Sequence, residues 1–200
     1  MARQYRWFWG VVLTACVAVL IIGIEPFSQA SLGVSASNHH SEASRLVAQS
    51  TVPEASNVFT DPANQYAIAL LDGFKAHSIA GQSVFESADG TIAYSVIVAP
   101  TLSTVTLTDA ALAQMAQVTF QQGERFVAHN FQPLTSGGIK IDWTGQVTTQ
   151  KAEPLSGTIF AQQVEDNVFL LMIAATEAGQ EGFAEVIATL PSSLRPLSAE

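Results

Sequence analysis

Val168-Phe169-Leu170-Leu171-Met172-Ile173-Ala174 is apolar at every position. Consecutive side chains of a strand point to opposite faces, so an unbroken apolar run puts apolar surface on both sides of its sheet. Such a strand is stable only where both sides are covered. This run therefore demands a layer on each face of the sheet that holds it.

The neighbouring segments say what the sheet and the layers are. From Gly138 to Thr148 the residues alternate, with Ile139, Ile141 and Trp143 on one side and Lys140, Asp142 and Thr144 on the other, which is a strand with one wet face. Thr91 to Val98 alternates less cleanly: Ile92, Tyr94, Val96 and Val98 share one side, but Ala93 and Ile97 on the other are not polar. Asp72-Gly73, Asp89-Gly90, Gly137-Gly138 and Asp166-Asn167 punctuate the apolar runs with turn dipeptides and point to antiparallel hairpins. Two stretches have helical period instead. Thr108 is placed to cap a helix from Asp109 to about Gln122, whose inner stripe is Leu112, Met115, Ala116, Thr119 and Phe120. Phe183, Val186, Ile187 and Leu190 form the stripe of a second helix from about Gln180 to Leu190, with Glu181 and Glu185 outside it and Pro191 as its stop. The prediction is an α+β domain, an antiparallel β-sheet with one helix packed on each face, in an α/β/α sandwich preceded by an N-terminal apolar helix.

That apolar helix accounts for an oddity of composition. The 200 residues are 48% hydrophobic and 12% charged, and the mean hydropathy of +0.27 is high for a soluble chain. Much of the excess lies in the uncharged stretch from Trp7 to Ile24, after Arg3 and Arg6 and before Glu25. As a helix it rises about 27 Å, close to the roughly 30 Å hydrocarbon core of a bilayer. The basic flank keeps the N-terminus inside, and Tyr5, Trp7 and Trp9 suit an interfacial anchor. Residues 1–30 thus read as a transmembrane anchor or as a signal peptide; Ser28-Gln29-Ala30 and Val34-Ser35-Ala36 both offer small-x-small cleavage sites. Either way the remainder is exported, to the periplasm, a thylakoid lumen or the cell exterior. Leu13-Thr14-Ala15-Cys16 has the form of a lipidation box, but the apolar residues that follow fit a small residue inside a hydrophobic helix better. Residues 31–57, rich in Ser, Ala, Asn and Gln, read as a flexible linker to a domain over 58–197.

Charge and cysteine count exclude several functions. The net charge is −9, and from Asp61 onward five basic residues face fourteen acidic ones, a surface that repels nucleic acid and anionic headgroups. With Cys16 alone there is no internal disulfide and no cysteine-based zinc cluster. His39-His40-Ser41-Glu42 gathers possible metal ligands, but a tether must lose much conformational entropy to close around an ion.

The succession of strands, a helix, four strands and a final helix resembles the family that unites the PsbP extrinsic proteins of photosystem II with Ran-binding nuclear-import proteins and exported bacterial domains. The resemblance runs from about Phe59 to Leu197. It is carried by the opening strand Tyr66-Ala67-Ile68-Ala69-Leu70-Leu71, the turn Asp72-Gly73-Phe74, the strand from Ile92 to Val98 ending at Pro100, the helix after Leu107, and Val186-Ile187-Ala188-Thr189-Leu190-Pro191-Ser192-Ser193-Leu194. Where family members often have Pro-x-Gly-Trp, this chain has Leu71-Asp72-Gly73-Phe74. An exported, anchored member is more similar to the PsbP side.

No nucleophile elbow, dinucleotide fingerprint, phosphate loop or zinc-protease motif occurs. The sequence assigns no catalytic, cofactor-binding or metal-ligating residue. A hydrolase would need His77 and His129 brought together with Asp142 or Glu124; the plainer reading is isolated surface or edge-strand imidazoles. Trp143 belongs to the core by its alternation. The expected function is non-enzymatic: a domain tethered to the membrane through Trp7–Ile24 that binds or helps assemble a membrane protein complex, photosystem-associated if the organism is photosynthetic. The alternative is an exported carrier of a small molecule or lipid, which would need a cavity between sheet and helix.

Overall fold

The computed structural model describes residues 57–101, 105–148 and 152–197. The segment Trp7–Ile24, Cys16, both cleavage sites, the linker up to residue 56 and the His39-His40-Ser41-Glu42 cluster lie outside them. Along the described chain come β1 (Val58–Thr60), β2 (Tyr66–Ala69), β3 (Phe74–Ile79), β4 (Gln82–Ser87), β5 (Ile92–Pro100), α1 (Asp109–Phe120), β6 (Val127–Pro133), β7 (Ile139–Thr148), β8 (Ala152–Val164), β9 (Asn167–Thr176), α2 (Gln180–Ser193) and β10 (Arg195–Pro196). One 3-10 turn, Glu177–Gly179, leads into α2. Among the described residues no helix is long and apolar enough to cross a membrane.

Seven strands form one antiparallel sheet in the order β3-β4-β5-β9-β8-β7-β6, with β9 in its middle. The apolar run from Val168 to Ala174 lies in β9. Val168, Leu170, Met172 and Ala174 join the cluster beneath α1, while Phe169, Leu171, Ile173 and Ala175 join the cluster beneath α2. All eight are at most 4% exposed. Each large aliphatic or aromatic side chain so buried contributes about 1.5–3 kcal/mol.

Helix α1 follows from its cap. Thr108 has extended backbone, and its Oγ1 accepts the Ala111 N–H at 3.2 Å, with Asp109 in the positive first turn. The helix ends at Phe120, two residues before the expected end. Leu112, Ala113, Ala116 and Phe120 are buried, so the buried arc includes Ala113, while Met115 and Thr119 lie at its half-buried margin. Helix α2 buries Val186 and Leu190, and Phe183 and Ile187 flank them. Pro191 does not stop it: the helix runs on to Ser193. In the last turn a proline removes only one backbone bond. The Leu190 carbonyl there accepts from Ser193 Oγ at 2.8 Å and from the Leu194 N–H at 3.2 Å, which finishes the helix without strain.

Two corrections concern the first strands. Tyr66–Ala69 does not open the main sheet; it is the central strand of a second, three-stranded sheet, β1-β2-β10, made of chain from both ends of the domain. Asp72-Gly73 accordingly turns the chain from one sheet into the other and closes no hairpin. The small sheet lies on the α2 side, so that face is covered by a helix and a sheet together. Phe59 meets Phe85 edge-on at 4.9 Å, Phe85 stacks on Tyr94 at 4.5 Å, and the Tyr94 hydroxyl donates to the Ala69 carbonyl at 2.7 Å. Ser193 Oγ accepts the Ala69 N–H at 3.2 Å and ties α2 to the same strand.

Asp89-Gly90 and Gly137-Gly138 do turn hairpins, β4–β5 and β6–β7. The β8–β9 turn falls one residue early: Val164 pairs with Asn167, and Glu165 takes the positive φ of 52°. Ala80-Gly81, with φ of 50° and 82°, turns the β3–β4 hairpin and carried no sequence signal strong enough to be read.

Candidate functional site

Strand β7 brings the candidate residues into the domain. Trp143, only 3% exposed, lies directly opposite Gly157 of β8. A Cβ on Gly157 would stand 2.5 Å from Trp143 Nε1 and 2.1 Å from the Ile173 carbonyl oxygen, so the indole needs a glycine under it. Phe126 packs on the indole at 5.5 Å between ring centroids. Among the described residues the buried indole N–H has no hydrogen-bond partner, a cost of about 1–3 kcal/mol that the packing of a large ring offsets.

Beside it, Phe120, Phe126, Leu155 and Met172 line a small cleft with Glu124 and Gln146 at its polar margin. It encloses about 10 Å³, space for about one water. The loop above is fastened to β7: Glu124 Oε1 accepts from Thr148 Oγ1 at 2.8 Å and from Gln146 Nε2 at 3.3 Å, and the Gln146 N–H donates to the Glu124 carbonyl at 2.9 Å. Glu124 is thereby a loop fastener.

The residues a hydrolase would need are apart. His77 is on β3 and His129 on β6, the two opposite edges of the sheet, and six strand spacings put them about 29 Å apart. His77 faces Glu86 across the β3–β4 ladder, Nε2 to Oε2 3.9 Å, and His129 is exposed. Asp142 sits on the α2 side of β7, where it accepts from Thr158 Oγ1 at 2.9 Å and faces Lys140 Nζ at 3.3 Å. Among the described residues no group of three or more His, Cys, Asp or Glu is placed to hold a metal ion.

Three side chains have shifted ionisation. Burial pushes the Tyr66 phenol up to about 12, helped by the charge of Asp61. Burial also raises Tyr94 far above the ordinary value. Asp89 is held below the usual carboxylate range, first by the Ser87 hydroxyl and then by the Thr91 N–H and hydroxyl. The tyrosines belong to the aromatic layer between the two sheets, and Asp89 belongs to a turn; none lines the cleft beside Trp143.

The surface offers more than the interior. Strand β6 is an edge on which only Ala128 is even half-buried. Ala128 opposes Trp143 and Phe131 opposes Ile141, so His129 and Asn130 bulge between them. Val58, Val118, Val127 and Phe131 expose 38–63% of their surface. Sequence reading could not find these positions, because edge and centre of a sheet are decided by long-range pairing.

No protein-family model matches the chain, and no curated protein sequence matches it. Solved structures do. The solution structure of cyanobacterial PsbP (CyanoP) from Synechocystis sp. PCC 6803 is similar with a TM-score of 0.51 at 16% identity, over 76% of this chain and 98% of that one. The Ran-binding protein Mog1p of Saccharomyces cerevisiae follows at 0.48 and 13%, over 70% and 94% of the two chains. LpqN of Mycobacterium tuberculosis, a protein involved in cell envelope biogenesis, follows at 0.47 and 11%, over 71% and 90%. The succession of elements read from the sequence and the backbone likeness to CyanoP agree: this chain carries a domain of the PsbP-like fold.

Proposed function

We propose that this protein is a non-enzymatic accessory protein, held on the extracytoplasmic side of a membrane through Trp7–Ile24, whose PsbP-like domain binds or helps assemble a membrane protein complex. The observation that carries the reading is the filled interior. Both faces of the sheet are occupied by side chains at a few per cent exposure, and the cleft beside Trp143 has room for about one water. A carrier of lipids or other small molecules needs a cavity of several hundred cubic ångströms. With the sheet packed on both faces among the described residues, recognition falls to the outer surface, where large apolar side chains stand exposed. The resemblance to the PsbP side of the fold makes the complex photosynthetic if the organism is, and the acidic surface selects a protein partner over nucleic acid.

Affinity capture of the tagged full chain from solubilised native membranes tests this reading. The expected result is reproducible recovery of one set of membrane proteins above a mock capture. Recovery of no membrane protein above that mock overturns it.

A further inference from the structure

The chain contains two Asp-Gly pairs in turns, and the fold treats them in opposite ways. At Asp89-Gly90 one carboxylate oxygen and the glycine nitrogen are both engaged. Asp89 Oδ1 accepts from Ser87 Oγ at 2.7 Å, from the Thr91 N–H at 3.1 Å and from Thr91 Oγ1 at 2.9 Å, while the Gly90 N–H donates to the Ser87 carbonyl at 2.9 Å. At Asp72-Gly73 both residues are exposed. Among the described residues the Asp72 carboxylate accepts no hydrogen bond and the Gly73 N–H donates none; the turn is held only by the Phe74 N–H on the Leu71 carbonyl at 3.0 Å. Nothing beyond the chain neighbours lies within 4 Å of the place a Gly73 Cβ would occupy, so the turn stands open to solvent beside the glycine.

We propose that Asp72 is a site of spontaneous backbone isomerisation through a cyclic imide with Gly73, and that Asp89, with the same following residue, is protected by its turn. The Gly73 amide nitrogen attacks Cγ of the protonated Asp72 carboxyl; a C–N bond forms, the Cγ–OH bond breaks, and the hydroxyl leaves as water with the amide proton. Water then returns to one of the two imide carbonyls. Addition at Cγ restores aspartate. Addition at the main-chain carbonyl breaks that carbon's bond to the Gly73 nitrogen and leaves an isoaspartyl linkage, with no net change of mass and no oxidant or reductant. Asp89 cannot follow the same course while its carboxylate is held by three donors and its glycine nitrogen is committed to Ser87.

The place gives the change a consequence. Residues 70–73 are the link between the small sheet and the large one, and Leu71 and Phe74 on either side of the pair pack against the α2-side core. An isoaspartyl residue adds a methylene to the main chain at this joint, which loosens the fit of Phe74 on Tyr94, now 5.5 Å between ring centroids.

The test is incubation of the full chain in warm neutral buffer, folded and, in parallel, unfolded in denaturant. Enzymatic methylation of isoaspartyl carboxyls and fragment-ion mapping then locate the product. In the unfolded chain both sites should react at similar rates. In the folded chain Asp89 should be slower than Asp72 by at least about tenfold, a barrier difference of roughly 1.4 kcal/mol. Asp72→Glu should remove the product, and Ser87→Ala with Thr91→Val should raise it at Asp89. Equal folded rates, an Asp72 that reacts only when unfolded, or the same ratio of the two sites in both samples overturns the proposal.

Discussion

The two faces of the central sheet are covered by different means. Under α1 the cluster is mainly aliphatic, with Trp143 and Phe120 as its large rings, and one helix closes it. Under α2 it is aromatic, with Tyr66, Phe85 and Tyr94 packed to Phe59 and Phe74, and a helix and a three-stranded sheet share the cover. On the first face the polar ties sit at the two ends of α1, where the Leu107 N–H donates to Gln163 Oε1 at 2.6 Å and Glu124 Oε1 accepts from Thr148 Oγ1 at 2.8 Å, while the helix itself is held by packing. The second adds polar ties, the Tyr94 hydroxyl on the Ala69 carbonyl and the Ala69 N–H on Ser193 Oγ, which fix where a small sheet from both ends of the domain must sit.

Neighbouring leucines of β9 allow the sharpest comparison, because Leu170 faces α1, Leu171 faces α2, and both are fully buried. Each replacement by alanine should cost about 2–5 kcal/mol in denaturant unfolding. A loss under 1 kcal/mol at either, as about a conservative core swap would give, would show that its face is not closed. Gly157→Ala comes next: the new methyl has no space between the indole and the Ile173 carbonyl, and overpacking of this kind costs about 1–3 kcal/mol. The near-ultraviolet circular dichroism of the α1-side core should change with it, and an unchanged spectrum would move Trp143 elsewhere.

The tyrosines set a pH dependence confined to the α2 side. A phenol raised in the folded state stabilises the fold fully below its unfolded value of 10 and loses that contribution as pH rises through the folded value. For Tyr66 the loss therefore runs from pH 10 to about 12, and Tyr94 shifts in the same direction. Stability measured across this range should fall more steeply for the natural protein than for Tyr66→Phe; parallel curves would contradict the burial. At neutral pH, Tyr94→Phe should cost about 1–2 kcal/mol by leaving the Ala69 carbonyl without its donor. Thr108→Ala, which removes only the α1 cap, should cost about 1 kcal/mol and leave the α2 side untouched.

Much of the architecture was legible because local chemistry and the final fold agree. Ile139, Ile141 and Trp143 alternate with a wet face because β7 has one, and Thr108 signals a helix start by the same oxygen that caps it. The small sheet was not legible. Pairing Arg195 with Ala67 joins residues more than a hundred positions apart, and neither two-residue β10 nor three-residue β1 has a period of its own. Strand β3, Phe-Lys-Ala-His-Ser-Ile, is an edge with no continuous apolar face. The same long-range pairing separated His77 from His129 and set Gly157 under Trp143. Interior, caps and turns are local enough to read; edges and cross-strand neighbours are not.

Side chains of the described residues pack both faces of the central sheet, and the proposed surface role requires that no small molecule be held between them. The direct measurement is native mass spectrometry of the full chain purified without denaturation from its own membranes, with the covalent mass taken from a denatured sample. Agreement of the two masses for the single polypeptide is the predicted result. A stoichiometric lipid or other small molecule, retained in the native sample and released on unfolding, would contradict it.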